Sequence, residues 1–297
     1  MAAPDHYRTP LSYKQALEAK IRTAADGRIN RFRQLLIFDR LLARLFRTFG
    51  ERVMLKGGIV LELRLGRART TKDIDLRLVG STVNLLEQLR DACRLDLGDW
   101  LEFEIAPDPR HPRMQGAGQV YQGQRFRVQA RLAGKDYGGL FGLDVGVADA
   151  MTADAEIVEG SSFLEFVGAE AERFRIYPRV THVAEKLHAY TLPTDRENTR
   201  VKDLPDLALL AQTGAFGAEE LRSGIEATFA FRDSHQIPDS LPTPPESWER
   251  PYARMAEQDE LRWTTLTDVF QAASGFLNPI LANTSGTWSP DAWDWSA

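Results

Sequence analysis

Asp73-Ile74-Asp75-Leu76-Arg77-Leu78 alternates charged and apolar residues with the period of a β-strand. Asp73, Asp75 and Arg77 therefore share one face, while Ile74, Leu76 and Leu78 anchor the other in a core. Two carboxylates on one strand face stand about 7 Å apart at ~3.3 Å rise per residue, and they repel unless a cation or basic group comes between them. Oxygen pairs of this kind suit hard divalent metals such as magnesium, with substrate phosphates completing the shell. An edge strand carrying two solvated aspartates would read the same way, so the flanking sequence has to decide.

Upstream, the apolar run Val53-Met54-Leu55 leads into Lys56-Gly57-Gly58, and Ile59 to Leu65 continues with helical spacing. The order is strand, glycine turn, helix. Backbone N–H groups at such a helix start can hold a phosphate, with Lys56 adding charge. The Gly-x-x-x-x-Gly-Lys-Ser/Thr spacing of a P-loop is absent. Downstream, Phe141-Gly142-Leu143-Asp144-Val145-Gly146-Val147 places Phe141, Leu143, Val145 and Val147 on one face and Gly142, Asp144 and Gly146 on the other. An acid between two glycines on so apolar a strand marks either a place where ligand and backbone approach closely or a hydrogen-bonded bend.

In the second half, Val183, Leu187 and Tyr190 form a helical apolar stripe with Lys186 at its margin, where the stem packs and the ammonium reaches a cleft. That position suits a triphosphate. Asp203 and Asp206 fall close together near the start of the next helix. They suit pairing with Lys186, or with Arg200 and Lys202, and equally suit acids that favour the helix dipole. His182 and His188 lack metal-ligand spacing. Thr71 is a candidate for nucleotide contact or for modification that adds negative charge, and it also suits a hydroxyl capping a strand end.

Around these motifs the pattern predicts helices over Ser12–Ala24 and Arg28–Thr48, the latter ended by Gly50, and over Val83–Cys93 with Ser81 or Thr82 as N-cap. Strands are expected over Trp100–Ile105, Phe126–Leu132 and Leu140–Val147. Beyond Arg179 the chain reads as mainly helical, with Val180–Tyr190 and Leu204–Gln212 the clearest helices and Pro193–Arg200 a surface loop between them. Pro238, Pro242, Pro244, Pro245 and Pro251 exclude a regular helix over Ile237–Pro251. The tail carrying Trp288, Trp293 and Trp295 either docks on the body or stays mobile. The fold class is α+β: a lobe with a mixed sheet, flanking helices and a helical N-terminus over 1–175, and a mainly helical lobe over 176–297.

The chain has 297 residues, 43% of them hydrophobic and 27% charged, enough for a substantial core and unlike a disordered chain. A net charge of −5 excludes bulk polycation binding to nucleic acid, so any RNA contact must be local. Arg64, Arg67, Arg69 and Lys72 form one candidate patch and Arg125, Arg127, Arg131 and Lys135 another, each also readable as a solvated basic face. Cys93 is the sole cysteine, which excludes an intrachain disulfide or a multi-cysteine zinc site. The first residues lack an apolar signal region and no stretch of ~18 apolar residues occurs, so the expectation is a cytoplasmic protein without a membrane span.

Taken in order, these motifs resemble the nucleotidyltransferase superfamily, in which a Gly-Gly or Gly-Ser turn precedes Asp-x-Asp and a later strand supplies a third carboxylate. The chain is more closely similar to the AbiEii-type nucleotidyltransferase toxins, which include the mycobacterial MenT group. The matching residues are Lys56-Gly57-Gly58, Arg69-Thr70-Thr71-Lys72-Asp73-Ile74-Asp75-Leu76, Asp144, Glu185-Lys186-Leu187-His188-Ala189, and Arg200-Val201-Lys202-Asp203-Leu204-Pro205-Asp206-Leu207. The last two are the more specific. Residues and resemblance together assign magnesium to Asp73, Asp75 and Asp144, nucleotide binding to Lys56, Gly57, Gly58, Arg69, Thr71, Lys186 and Lys202, and catalysis to the three aspartates with Lys186, Asp203 and Asp206. The resemblance implies transfer of NMP from an NTP to an RNA acceptor, with the tRNA 3′ end favoured, and a toxin neutralised by a separate antitoxin. A nucleotidyltransferase acting on a small molecule and a non-catalytic nucleotide- or RNA-binding regulator are the competing expectations.

Overall fold

The computed structural model describes residues 7–25, 27–66, 70–112, 123–147, 154–167, 169–193 and 200–296. At its centre β1 (Val53–Lys56) runs antiparallel to β2 (Asp73–Leu78). Between them Gly57 turns the chain at φ 72° into α3 (Gly58–Leu65), a conformation that glycine adopts without the Cβ penalty. β2 pairs in parallel with β6 (Phe141–Gly146), which pairs antiparallel with β4 (Gly123–Leu132), and β3 (Leu101–Pro107) closes that side. β5 (Lys135–Asp136) hangs on β4. On the other side β8 (Arg173–Ile176) pairs in parallel with β1 and carries β7 (Glu156–Glu159), giving the order β3-β4-β6-β2-β1-β8-β7.

One face of this sheet is apolar. Val53, Leu55, Ile74, Leu76, Phe126, Val128, Leu143 and Val145 pack there in one core with Tyr13, Leu17 and Ile21 of α1 (Pro10–Ala24) and Leu36 to Leu45 of α2 (Ile29–Phe49). Thr9 and Ser12 cap α1 reciprocally. Within this core Arg44 donates twice to Asp99, at 2.9 and 2.6 Å, while Arg40 Nε donates at 2.8 Å, so a buried carboxylate is matched by two guanidinium groups. α4 (Leu85–Arg94) adds Leu85, Leu89, Ala92 and Cys93. It begins later than its serine or threonine would place it. Asn84 in the left-handed region is the residue before the helix, and the Ser81 hydroxyl instead accepts from the Val83 N–H in the preceding turn.

A second core gathers α5 (Arg179–Thr191), α6 (Asp203–Ala211), α7 (Ala218–Arg232), α8 (Glu249–Asp259) and α9 (Leu266–Leu281). α3 touches both cores, since Ile59 and Val60 belong to the first and Leu61 to the second. Pro251 corrects the expectation for its segment: it sits in the first turn of α8, where a missing N–H costs nothing. The tail docks. β10 (Thr287–Ser289) and β11 (Asp294–Ser296) pair with each other, β10 pairs with β9 (Phe216–Gly217), and Trp288 is fully buried with its Nε1 donating to the Ala211 carbonyl at 2.8 Å. Most of the expected 193–200 loop lies outside the described residues. Among the described residues no helix is long and apolar enough to cross a membrane.

Candidate active site

The face of the sheet opposite the first core carries the charges. The registers Lys56↔Asp75, Asp75↔Asp144 and Arg125↔Asp144 align one residue from each of four adjacent strands, β1, β2, β6 and β4. The row reads plus, minus, minus, plus, at about 4.8 Å between neighbouring strands. Two carboxylates are thus held side by side by backbone pairing, and they keep that spacing because Ile74, Leu76, Leu143 and Val145 fix both strands from the other face.

Glycines let this row assemble. A methyl group on Gly57 would collide with the Asp75 carboxylate, and one on Gly142 would strike the Asp73 carboxylate. The Gly142 N–H donates to Asp73 Oδ1 at 3.1 Å, which ties the exposed end of β2 to β6. The Thr71 hydroxyl donates to the Asp73 carbonyl at 3.0 Å, and the Thr70 hydroxyl donates to Asp259 Oδ1 of α8 at 2.6 Å. The approach to β2 is therefore anchored on the helical side of the molecule.

Lys56 is buried, with its ammonium 5.6 Å from the centre of the Tyr177 ring. Lys186 reaches the same region from α5. Its ammonium lies 2.8 Å from Asp203 Oδ1 and 2.7 Å from Asp206 Oδ2, so the two acids of the first turn of α6 hold a single lysine between them. Arg200 reaches Asp203 as well, at 3.4 Å. Part of Asp75 reaches solvent, but protein crowds its carboxyl: desolvation first, and then Asp144, push its pKa up to about 6 against the opposing pull of Lys56 and Lys186. A carboxyl in that condition gains from an additional positive charge.

Arg125 was legible only as a member of a basic patch. Its Nε donates to Asp144 Oδ1 at 2.7 Å and its Nη2 to Oδ2 at 2.6 Å, a bidentate pair. Elsewhere in that patch Arg127 binds Asp108 at 2.7 Å, Arg131 lies 2.9 Å from Glu104 and 3.3 Å from Asp136, and Lys135 is exposed. In the other patch Arg64 is tied to Glu156 and to the Tyr177 carbonyl, while Arg67 and Arg69 lie outside the described residues. Lys202 is exposed one residue before α6, and Gly58 is the buried first residue of α3. Among the described residues no three His, Cys, Asp or Glu side chains are drawn closely enough together to enclose a metal ion. Asp73 turns one oxygen to Gly142 and Asp144 gives both to Arg125.

The sequence profile described as nucleotidyl transferase AbiEii toxin, type IV toxin–antitoxin system, matches residues 40–275. Among solved structures the fold is similar to that of MenT4, a nucleotidyltransferase toxin from Mycobacterium tuberculosis, with a TM-score of 0.61 at 16% identity over 93% of this chain and 92% of that one. It is also similar to JHP933 from Helicobacter pylori, with a TM-score of 0.50 at 17% identity over 84% of this chain and 94% of the other. A comparison with curated protein sequences gives no match.

Proposed function

The chain belongs to the AbiEii nucleotidyltransferase toxins of type IV toxin–antitoxin systems, and from that premise we propose that it transfers a nucleoside monophosphate from an NTP to an RNA acceptor, the 3′ end of tRNA, with magnesium as cofactor. The observation that carries this reading is the aligned row Lys56, Asp75, Asp144 and Arg125, with the Lys186 ammonium near enough to act on the Asp75 carboxyl. The side chains suit a hard divalent cation: the oxygens are carboxylates, Asp75 and Asp144 stand side by side on adjacent strands, and a guanidinium already stands in for a cation on Asp144. Asp73, Asp75 and Asp144 would hold magnesium, which would supply positive charge at the phosphates as charge develops.

The remaining work falls to the protein. Lys56 and Lys186 neutralise the triphosphate, Asp203 and Asp206 keep the Lys186 ammonium aimed, Thr71 and Lys202 border the nucleotide, and Arg69, outside the described residues, is assigned to nucleotide binding by its motif alone. The Gly57-Gly58 turn lets a phosphate approach backbone N–H groups at the start of α3. An acceptor hydroxyl gives its proton to Asp144 while its oxygen bonds to the α-phosphorus, and the bond from that phosphorus to the bridging oxygen breaks to release pyrophosphate. A separate antitoxin protein is the partner that restrains this activity, in the cytoplasm.

Incubating the wild type and Asp75→Ala with total RNA, magnesium and each labelled NTP in turn tests the reading. Label should enter RNA with the wild type and fall by at least about a hundredfold in the variant. Absence of label with every NTP would point to a small-molecule acceptor or a binding protein, and equal labelling by both proteins would place the chemistry elsewhere.

A further inference from the structure

We propose that Arg125 is a resident counter-ion that occupies Asp144 until a divalent cation takes its place, so that cation binding and release of the guanidinium are one exchange. The proposal rests on the assignment of Asp75 and Asp144 as cation-binding carboxylates, and it concerns a residue that the assignment itself leaves out. Four observations support it. Both oxygens of Asp144 are engaged by Arg125, at 2.7 and 2.6 Å, so a cation that reaches Asp144 meets a carboxylate whose charge the guanidinium already neutralises, and the two positive charges repel each other across it. Asp144 is buried, and a carboxylate there without a positive partner is costly. The Arg125 side chain is 42% exposed, so the partner that must leave has solvent to leave into. Finally, Asp75 lies on the far side of Asp144 from Arg125 in the strand register, so a cation bound between the two aspartates meets Asp144 from the side opposite the guanidinium.

The neighbouring charges set the direction of the exchange. Asp73, Asp75 and Asp144 face Lys56 and Arg125 across the row, and Lys186 acts from α5 with Asp203 and Asp206 behind it. Arg125 grips a proposed metal ligand with two bonds, and Lys186 is held by acids of α6. Removing Arg125 therefore removes the competitor and leaves the carboxylates in place. A purely structural arginine would have the opposite signature: its loss would loosen β4 against β6 and weaken any ion bound between β6 and β2.

The test uses manganese as a spectroscopic substitute for magnesium, without nucleotide, and reads binding by electron paramagnetic resonance and titration calorimetry on the full chain. Arg125→Gln should bind Mn²⁺ roughly tenfold more tightly than the wild type, on the scale of one charge-assisted pair at a half-exposed guanidinium, and Arg125→Lys should fall between them. Adding Asp144→Asn to Arg125→Gln should abolish the gain. Circular dichroism of each variant establishes that it is folded, and Arg125→Lys supplies the comparison if Arg125→Gln is not. Equal or weaker binding by the folded Arg125 variants, with wild-type binding that Asp75→Asn removes, would overturn the role of Arg125 and leave the metal assignment standing. Absence of Mn²⁺ binding by the wild type and the variants alike would overturn both.

Discussion

Gly57 shows how much of the site depends on a side chain that is missing. Its φ of 72° and the closeness of the Asp75 carboxylate each disfavour a Cβ, so Gly57→Ala should move the turn or the carboxylate. Displacement of a reacting group by about 1 Å costs roughly a hundredfold, and RNA labelling by Gly57→Ala should fall by at least about that factor while its circular dichroism stays native. At this scale the sequence was informative about residue types and silent about partners. Alternation alone puts Asp73 and Asp75 on one face and isolates Asp144 between glycines. It says nothing of which residue on β4 stands opposite Asp144, because register depends on turns and distant pairings, so Arg125 read as one arginine among several. Asp203 and Asp206 were visible as a pair because a spacing of three brings them together on a helix, whereas their partner was open between Lys186, Arg200 and Lys202 until the packing of α5 on α6 placed Lys186 against both.

Among the elements, long periodic segments were legible and short or capped ones were not. α1, α2 and the strands that bear the aspartates follow from period and glycine punctuation, but β7 and β8 are four residues each, too short for alternation to declare itself. β8 takes its place from tertiary pairing with β1, where Ile176 meets Leu55. Pro251 misled because proline was weighed by density, whereas position within a helix decides its cost. The tail hairpin is the clearest gain from the structure. Trp288 packs 4.9 Å from Phe276, centre to centre, and its ring nitrogen satisfies the last residue of α6. Trp288→Ala should cost about 3–5 kcal/mol by cavity formation, while Trp288→Phe should cost less because most of the apolar volume stays, a ranking that urea unfolding followed by circular dichroism would check.

Across the whole molecule two buried groups outside the carboxylate row make stability depend on pH in opposite senses. Burial pushes Asp39 up to about 6, outweighing its bond from the Ser161 N–H and the nearby Arg40. The folded chain then holds a proton that the unfolded chain has released, so Asp39 lowers stability as pH rises from about 4 to 6, and its cost is complete above that window. Burial, with His235 and two arginines adding to it, pushes His188 down to about 4. Here the unfolded chain binds the extra proton, so stability rises with pH from about 4 to 6.5 and is fully present above. Urea unfolding at pH 4.5 and 7.5 should show Asp39→Asn gaining relative to the wild type at the higher pH, and His188→Gln gaining at the lower one, each by roughly 1–3 kcal/mol.

The two apolar cores support our proposal that the chain is built as two lobes, 1–175 and 176–297, with α3 as a shared member. The residues proposed to act together are divided between them: Lys56, Asp73, Asp75 and Asp144 on the sheet, Lys186, Asp203 and Asp206 on α5 and α6. A ribosome that has delivered only the sheet has made every proposed metal ligand but neither Lys186 nor the acids that aim it. On these proposed roles, the nascent chain gains its full set of site residues only when α6 has emerged from the exit tunnel and packed against α3.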